Sequence, residues 1–433
     1  MPVSLRRSAT VFTLYLPDYK SNAYPTQTLL EKTDMNDFIL WGVIASPYLL
    51  KMQALLDYAE QHWKRYPEQG GRLNNLRLIR RLLQAKSRRE VKRYPQLPDE
   101  LDEYPAVPFY SEDGETFYYD SSALAHHLDN HAQRHQRSLL PAEPEVAFVC
   151  QLIDEAFDEF GLYMVHHMRW VGSAKTTPMG EMTAAEMAKV VPFGLHHLLA
   201  KQLPKRQVRR LPYLFSVAPH NYGAGVSPVQ APPVREGFPE THSLLNHCWE
   251  IYLEAMENIL GQQPYLLGQR FTLADASAYG QLSMNLVDGD ATARLHELAP
   301  RTYTWLCDIR DGKHVGSDGP LVLSDGLQPL LEIIGQTFVP LMQQNAAAYE
   351  EAATTGETLF NETAFDQGRA LYEGQLLGSP FKAVVKTFQV RVWQELCESW
   401  CSLVASDREH LKGFLGDTVP VTLESATGTA LRR

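Results

Sequence analysis

Near the start of the chain, in "DFILWGVIASPYLLKMQALLDYAEQ", residues 37–61, an apolar run gives way to a helical pattern of apolar and polar positions. A continuous apolar run over 38–44 predicts a short buried strand that ends in a tight turn. Apolar residues then recur at helical spacing, at Leu49, Leu50, Met52, Leu55, Leu56 and Ala59, so a helix opens at Ser46-Pro47. The order strand, helix, strand, hairpin, helix continues to about residue 129. Within it, "YPAVPFYSEDGETFYYDSSALAHHL" reads as a strand ending in Val107-Pro108, a turn at 111–114, a second strand at 116–119 and a helix from 120–122.

After Pro141 the period changes to long helices. "VAFVCQLIDEAFDEFGLYMVHHMRW" is one of them, and "HSLLNHCWEIYLEAMENILG" is another. A proline-rich passage near 204–239 separates the two and predicts an extended loop. From about 316 the stretches "LQPLLEIIGQTFVPLMQQNAAAYEEA" and "PFKAVVKTFQVRVWQELCESWCSLVA" predict further helices, and the last dozen residues predict a frayed tail. No repeat is evident.

A chain of 433 residues accommodates two or three domains. Hydrophobic residues at 44% and charged residues at 21% are those of a soluble globular protein, and a net charge of −11 argues against nucleic acid as the main partner. No run reaches the ~20 apolar residues of a membrane span, so a cytoplasmic protein is expected. Five scattered cysteines without a CxxC fit a reducing compartment, and Cys397 and Cys401 read as core cysteines. Adjacent histidine pairs, His126-His127 and His196-His197, point in different directions on a helix and make poor metal sites, so no metal is expected.

Three short motifs carry chemistry, each with a plainer alternative. Ser46 at a helix start followed by Pro47 is an N-cap; the same hydroxyl can hydrogen-bond a ligand's sulfur and hold it as thiolate beside the helix dipole. Val107-Pro108 is an edge-strand proline, or, if cis, it presents the Val107 backbone to an extended ligand. Asp120 and Ser121 either cap the next helix or grip an amino-acid head group, ammonium on Asp120 and carboxylate on the dipole. No cysteine occurs before Cys150, which disfavours thiol–disulfide exchange through a protein cysteine in this region.

The order of these motifs resembles the N-terminal domain of cytosolic glutathione transferases. "QPYLLGQRFTLADASAYGQL", with the capping box Thr272-x-x-Asp275, and "LAPRTYTWLCDIRDG" are similar to that family's helical half. The resemblance covers roughly 37–315. It implies an α+β chain: an N-terminal thioredoxin-like domain, then an all-α glutathione-transferase-type domain and an extra helical extension. The boundaries expected are an arm at 1–36, a glutathione-binding domain at 37–140 with a basic insert near 72–93, a helical domain at 141–315, and the extension and tail at 316–433. It also implies a glutathione-dependent transferase attacking a small hydrophobic electrophile by conjugation, ether or halide displacement, or isomerisation. Glutathione is the expected co-substrate and a homodimer the expected assembly.

Carried over residue by residue, Ser46 is the catalytic thiol stabiliser, while Val107, Pro108, Asp120 and Ser121 bind glutathione. Tyr48, Tyr163 and His167 are candidates for the electrophile pocket. Asp120 stands where the family has Glu or Gln. The basic insert, in which Glu90 is the sole acid, is either a solvated helix face or an anion-binding wall for a glutathione carboxylate or an acidic co-substrate. The insert, Asp120 and the extension also suit a non-catalytic binding or scaffold protein of the same fold.

Overall fold

A computed structural model describes residues 38–93, 107–130, 137–192, 194–219, 234–416 and 418–430. The expected arm at 1–36, residues 220–233 of the proline-rich passage and the last three residues lie outside the described residues. Residues 37–433 form one compact unit.

Its N-terminal part is a three-stranded sheet in the order β2-β1-β3. Strand β1 (Phe38–Trp41) pairs in parallel with β2 (Trp63–Tyr66), Phe38 opposite Trp63, and helix α1 (Pro47–Tyr58) makes the crossover. Strand β3 (Phe109–Ser111) runs antiparallel on the other side of β1, with Leu40 opposite Tyr110. The basic stretch forms α2 (Arg72–Ser87), and α3 (Ser121–Asn130) follows the β3 turn. Two expectations change. β1 stops at Trp41 because the chain turns after Gly42, with the Ser46 N–H bonding back to the Val43 carbonyl at 2.9 Å. The strand near Pro108 begins after that proline, which has no N–H for a ladder, and residues 116–119 contribute only isolated bridges, from Tyr118 to Tyr110 and to Lys92.

The rest is mostly helical. A continuous rod holds α4 (Pro144–Ala156), a π turn (Phe157–Gly161), α5 (Leu162–His167) and a second π turn (Met168–Gly172). After it come α6 (Met179–Met187), α7 (His196–Arg210), α8 (His242–Leu260) and α9 (Leu273–Leu282). Then follow α10 (Gly289–Leu298) and α11 (Pro300–Arg310). The expected loop from 204 is helical as far as Arg210, because Pro204 is accommodated inside α7 and packs beside Gly180. Every residue of α9 is buried, and its capping box between Thr272 and Asp275 is formed. At Gly280 a Cβ would stand 2.8 Å from the Lys51 Cβ, so glycine there lets α9 lie directly on α1.

The extension comprises α12 (Gln328–Gln336), α13 (Phe338–Thr354), α14 (Glu362–Asp366), α15 (Thr387–Ser402), α16 (Ala405–Leu415) and α17 (Thr418–Ala430). It also holds a hairpin, β4 (Leu371–Leu376) with β5 (Ser379–Val384), and β5 takes up the start of the helix expected from Pro380. The two-residue turn explains it: Leu377 and Gly378 have φ of 48° and 76°, the left-handed pair that joins antiparallel strands. The expected frayed tail is in α17, anchored by buried Val419 and Leu423. Cys397 is buried as expected, while Cys401, on the last turn of α15, is exposed. One apolar cluster runs from Phe38 through α4, α8 and α9 to Leu423, so the sheet and the extension share a core.

Among the described residues, no helix is long and apolar enough to cross a membrane, and no group of three or more His, Cys, Asp or Glu could hold a metal ion.

Candidate functional site

The loop between β1 and α1 is held by buried charges. The Ile44 N–H donates to Glu186 Oε2 at 3.0 Å, and Glu186 also pairs with Arg65 Nη1 at 2.6 Å. Arg169, itself locked to Asp288 at 2.9 Å, donates to the Ala45 carbonyl at 3.4 Å. This loop delivers Ser46 to the N-cap of α1 with φ −92° and ψ 120°. The Ser46 hydroxyl makes no capping hydrogen bond there, so the plain capping role expected for it is not what the structure shows.

Lys51, one turn further on, is fully buried. Its Nζ donates to Asp154 Oδ1 at 2.5 Å, Asp158 Oδ2 at 2.7 Å and Ser122 Oγ at 2.8 Å, which ties α1, α3 and the α4 rod together. Burial opposes its charge, but the Asp154 and Asp158 carboxylates outweigh that and raise its pKa.

Beside this junction lies a cavity of about 330 Å³. One wall comes from the N-terminal part: Tyr48, the cis pair Val107-Pro108, and Tyr119 through Ser122. A second comes from the rod, where the first π turn exposes Asp158, Glu159 and Tyr163 alongside Glu155. Arg210, Tyr213 and Leu214 close a third side. The fourth is α15 and the residue before it, with Lys386, Phe388, Gln389 and Arg391.

Six of the eight sequence-predicted site residues therefore meet on one cavity: Tyr48, Val107, Pro108, Asp120, Ser121 and Tyr163. Ser46 is not among the lining residues; it is half-buried two positions before Tyr48. His167 is a correction. It points into the core, its Nδ1 2.8 Å from Ser216 Oγ and its Nε2 3.3 Å from Asn246 Nδ2. Burial, with His242 adding to it, pushes its pKa down to about 3, so it stays neutral. His167 lies one turn further along α5 than Tyr163, where Ser216 and Asn246 rather than the cavity meet its ring.

Asp120 also departs from the role expected of it. Its backbone has φ 76°, a left-handed conformation that Asp tolerates better than most residues. Oδ1 caps α3 by accepting from the N–H groups of Ser122 at 3.0 Å and Ala123 at 3.1 Å. Oδ2 accepts from Arg93 Nε and, at 3.5 Å, from Arg391 Nη2. Burial alone would raise its pKa; Arg93 and Arg391 outweigh burial and hold it well below the usual carboxylate range. Both oxygens are committed to the protein, rather than free for a ligand's ammonium group.

The acidic wall behaves differently. Burial pushes Glu159 up to about 7 and Asp158 to about 6, and raises Glu155 well above its ordinary value with Asp154 adding to it. The Tyr48 hydroxyl donates to the Asp158 carbonyl at 2.9 Å, and Tyr163 accepts from Lys386 Nζ at 2.5 Å and Gln389 Nε2 at 2.9 Å. Burial raises both tyrosine pKa values well above the ordinary phenol, so both stay neutral. Of the basic stretch 72–93, Arg93 lines the cavity, whereas most of the α2 cations face solvent. The α15 residues went unnoticed in the sequence. Their one signal is Arg391, a cation set between Val390 and Val392 in an otherwise apolar stripe.

No family model matches the chain, and no curated protein matches it. Among solved structures it is similar to glutathione transferases. The β-etherase LigF from Sphingobium sp. strain SYK-6 is 16% identical, covering 68% of this chain and 98% of that one, with a TM-score of 0.38. A glutathione S-transferase from Rhodospirillum rubrum F11 is 14% identical over 68% of this chain and 91% of that one, with a TM-score of 0.34. Rice GST1, solved in complex with glutathione, is 14% identical over 66% and 92%, with a TM-score of 0.32.

A second, more open groove of about 530 Å³ lies between the end of α8 and α11, lined by Pro264, Tyr265, Arg301 and Trp305, and holds none of the predicted residues.

Proposed function

We propose that this chain is a glutathione-dependent transferase that activates the glutathione thiol for attack on a small hydrophobic electrophile. The observation that supports this reading is the convergence of Tyr48, Val107, Pro108, Asp120 and Ser121, from separate stretches of sequence, on one cavity. Glutathione would lie along Val107-Pro108 with a carboxylate at the hydroxyl of Ser121, the first residue of α3, since Asp120 already takes the Ser122 and Ala123 N–H groups. Its thiol would face the start of α1, where Ser46 keeps a hydroxyl uncommitted to capping. Leu162, Leu214, Tyr213 and Phe388 offer apolar surface to the electrophile. Conjugation, ether or halide displacement, and isomerisation all fit that surface. A homodimer in the cytoplasm belongs to the same reading.

The alternative is a non-catalytic binding or scaffold protein. It is favoured by two observations: both Asp120 oxygens are engaged, and Ser46 stands outside the cavity wall. Isothermal titration with glutathione, paired with turnover of 1-chloro-2,4-dinitrobenzene, separates the two. A transferase binds glutathione and loses turnover more than binding on Ser46→Ala. Binding without turnover selects the carrier, and absence of binding ends the transferase reading.

A further inference from the structure

Arg391 is the least satisfied charged group around the cavity. Its side chain is only 6% exposed, yet Nε and Nη1 are buried with no hydrogen-bond partner among the described residues. Its one ion pair within 4 Å among the described residues is the 3.5 Å approach of Nη2 to Asp120 Oδ2, and Glu159 attracts it from further off. Asp120 cannot do more for it, since Oδ2 already accepts from Arg93 and Oδ1 from two backbone N–H groups. Glu395, one turn further along α15, stands 3.6 Å from Arg93 Nη1, and its Oε1 accepts no hydrogen bond from either arginine. Buried donors of a guanidinium are normally met by an acceptor, and a planar guanidinium matches a carboxylate or a phosphate.

The surroundings narrow the ligand. The Phe388 ring packs against the guanidinium, 4.3 Å from Cζ to the ring centroid, and orients it. Tyr213 and Leu214 line the same cavity and provide apolar surface. Glu155 and Glu159 line the same cavity, Glu159 bonded to Gln389 and drawn to the Arg391 charge, and together they disfavour a multiply charged guest. A volume of about 330 Å³ suits a small organic molecule.

We infer that Arg391, with Phe388 behind it, forms a recognition site for a small organic monocarboxylate whose apolar or aromatic body lies against Tyr213 and Leu214. The helical extension thus contributes a specificity-determining wall to a cavity whose other walls come from the sheet and the rod. The inference goes beyond the transferase reading and stands on Arg391, not on the thiol; its ligand is a molecule other than glutathione.

The test uses benzoate and its neutral isostere benzamide, titrated calorimetrically into the full-length protein at pH 7. Wild type is expected to bind benzoate at least about tenfold more tightly than benzamide, the size of effect one desolvated charge-assisted hydrogen bond gives. Arg391→Gln should bring the two affinities together, and Arg391→Lys should restore part of the preference. Equal affinities in wild type, or an undiminished preference in Arg391→Gln, would overturn the inference. The wild-type comparison needs no variant, so it decides the matter even if Arg391→Gln folds poorly. Glutathione titrated into the same wild-type protein keeps the two readings apart. Its failure to bind bears on the transferase reading, whereas loss of the benzoate preference bears on the carboxylate site.

Discussion

Lys51→Met removes a buried cation from between two carboxylates at 2.5 and 2.7 Å and leaves them facing each other without it. Breaking a buried pair by deleting one partner costs about 3–5 kcal/mol, because the remaining charge stays desolvated. Asp158 already sits at about 6 with Lys51 present, above the ordinary carboxyl value, since burial outweighs the lysine's attraction. Without Lys51 its pKa must climb further, by an amount worth about 1.4 kcal/mol for each unit. A carboxyl raised in the folded state favours folding below its unfolded pKa and loses that advantage as pH rises through the folded value. The variant's deficit is therefore smallest near pH 5, where Asp158 carries a proton, and grows toward pH 8. Urea denaturation followed by tryptophan fluorescence at both pH values reads the difference directly. Adding Asp158→Asn to the variant should recover part of the loss at pH 8. A deficit below ~1 kcal/mol, or one equal at pH 5 and pH 8, would refute the reasoning.

Three other substitutions test neighbouring parts of the structure. Ser46→Ala should change unfolding free energy by less than about 0.5 kcal/mol, because no capping bond is lost; a drop of ~1 kcal/mol or more in urea melts would restore the N-cap reading. Asp275→Ala deletes an acceptor for Leu266 N–H at 2.8 Å and for the Thr272 N–H and hydroxyl, both at 2.9 Å, and should cost about 2–4 kcal/mol by calorimetry. Arg169→Met leaves Asp288 buried without its cation and frees the Ala45 carbonyl, so a loss of about 3–5 kcal/mol is expected, with faster amide exchange across the β1–α1 loop.

Much of the N-terminal architecture was legible because local signals agree with tertiary ones there. The apolar run before Gly42, the Ser46-Pro47 start and the helical stripe through Ala59 all point to one strand–turn–helix unit, and the structure has it. The Thr272-x-x-Asp275 box is equally local and is formed as read. What escaped reading depends on distant partners. Asp120 and Arg391 are 271 positions apart, and nothing near either residue announces the other. The β4–β5 hairpin was obscured because "PFKAVV" is compatible with either period, and only the positive φ of Leu377 and Gly378 decides for strands. His167 looks equivalent to Tyr163 on a helix, but one turn further along it meets Ser216 and Asn246, partners 49 and 79 positions away in the sequence.

The measurement that reaches the proposed chemistry most directly is the ultraviolet absorbance of bound glutathione thiolate against pH, in wild type and Ser46→Ala. A helix N-terminus and one hydroxyl together can lower a thiol pKa by ~2 units, roughly 2.7 kcal/mol of preference for the thiolate. The thiolate should titrate that far below free glutathione in wild type and move back up in Ser46→Ala. A bound thiol that titrates like the free one in both proteins would contradict thiol activation and leave Ser46 as a bystander at the start of α1.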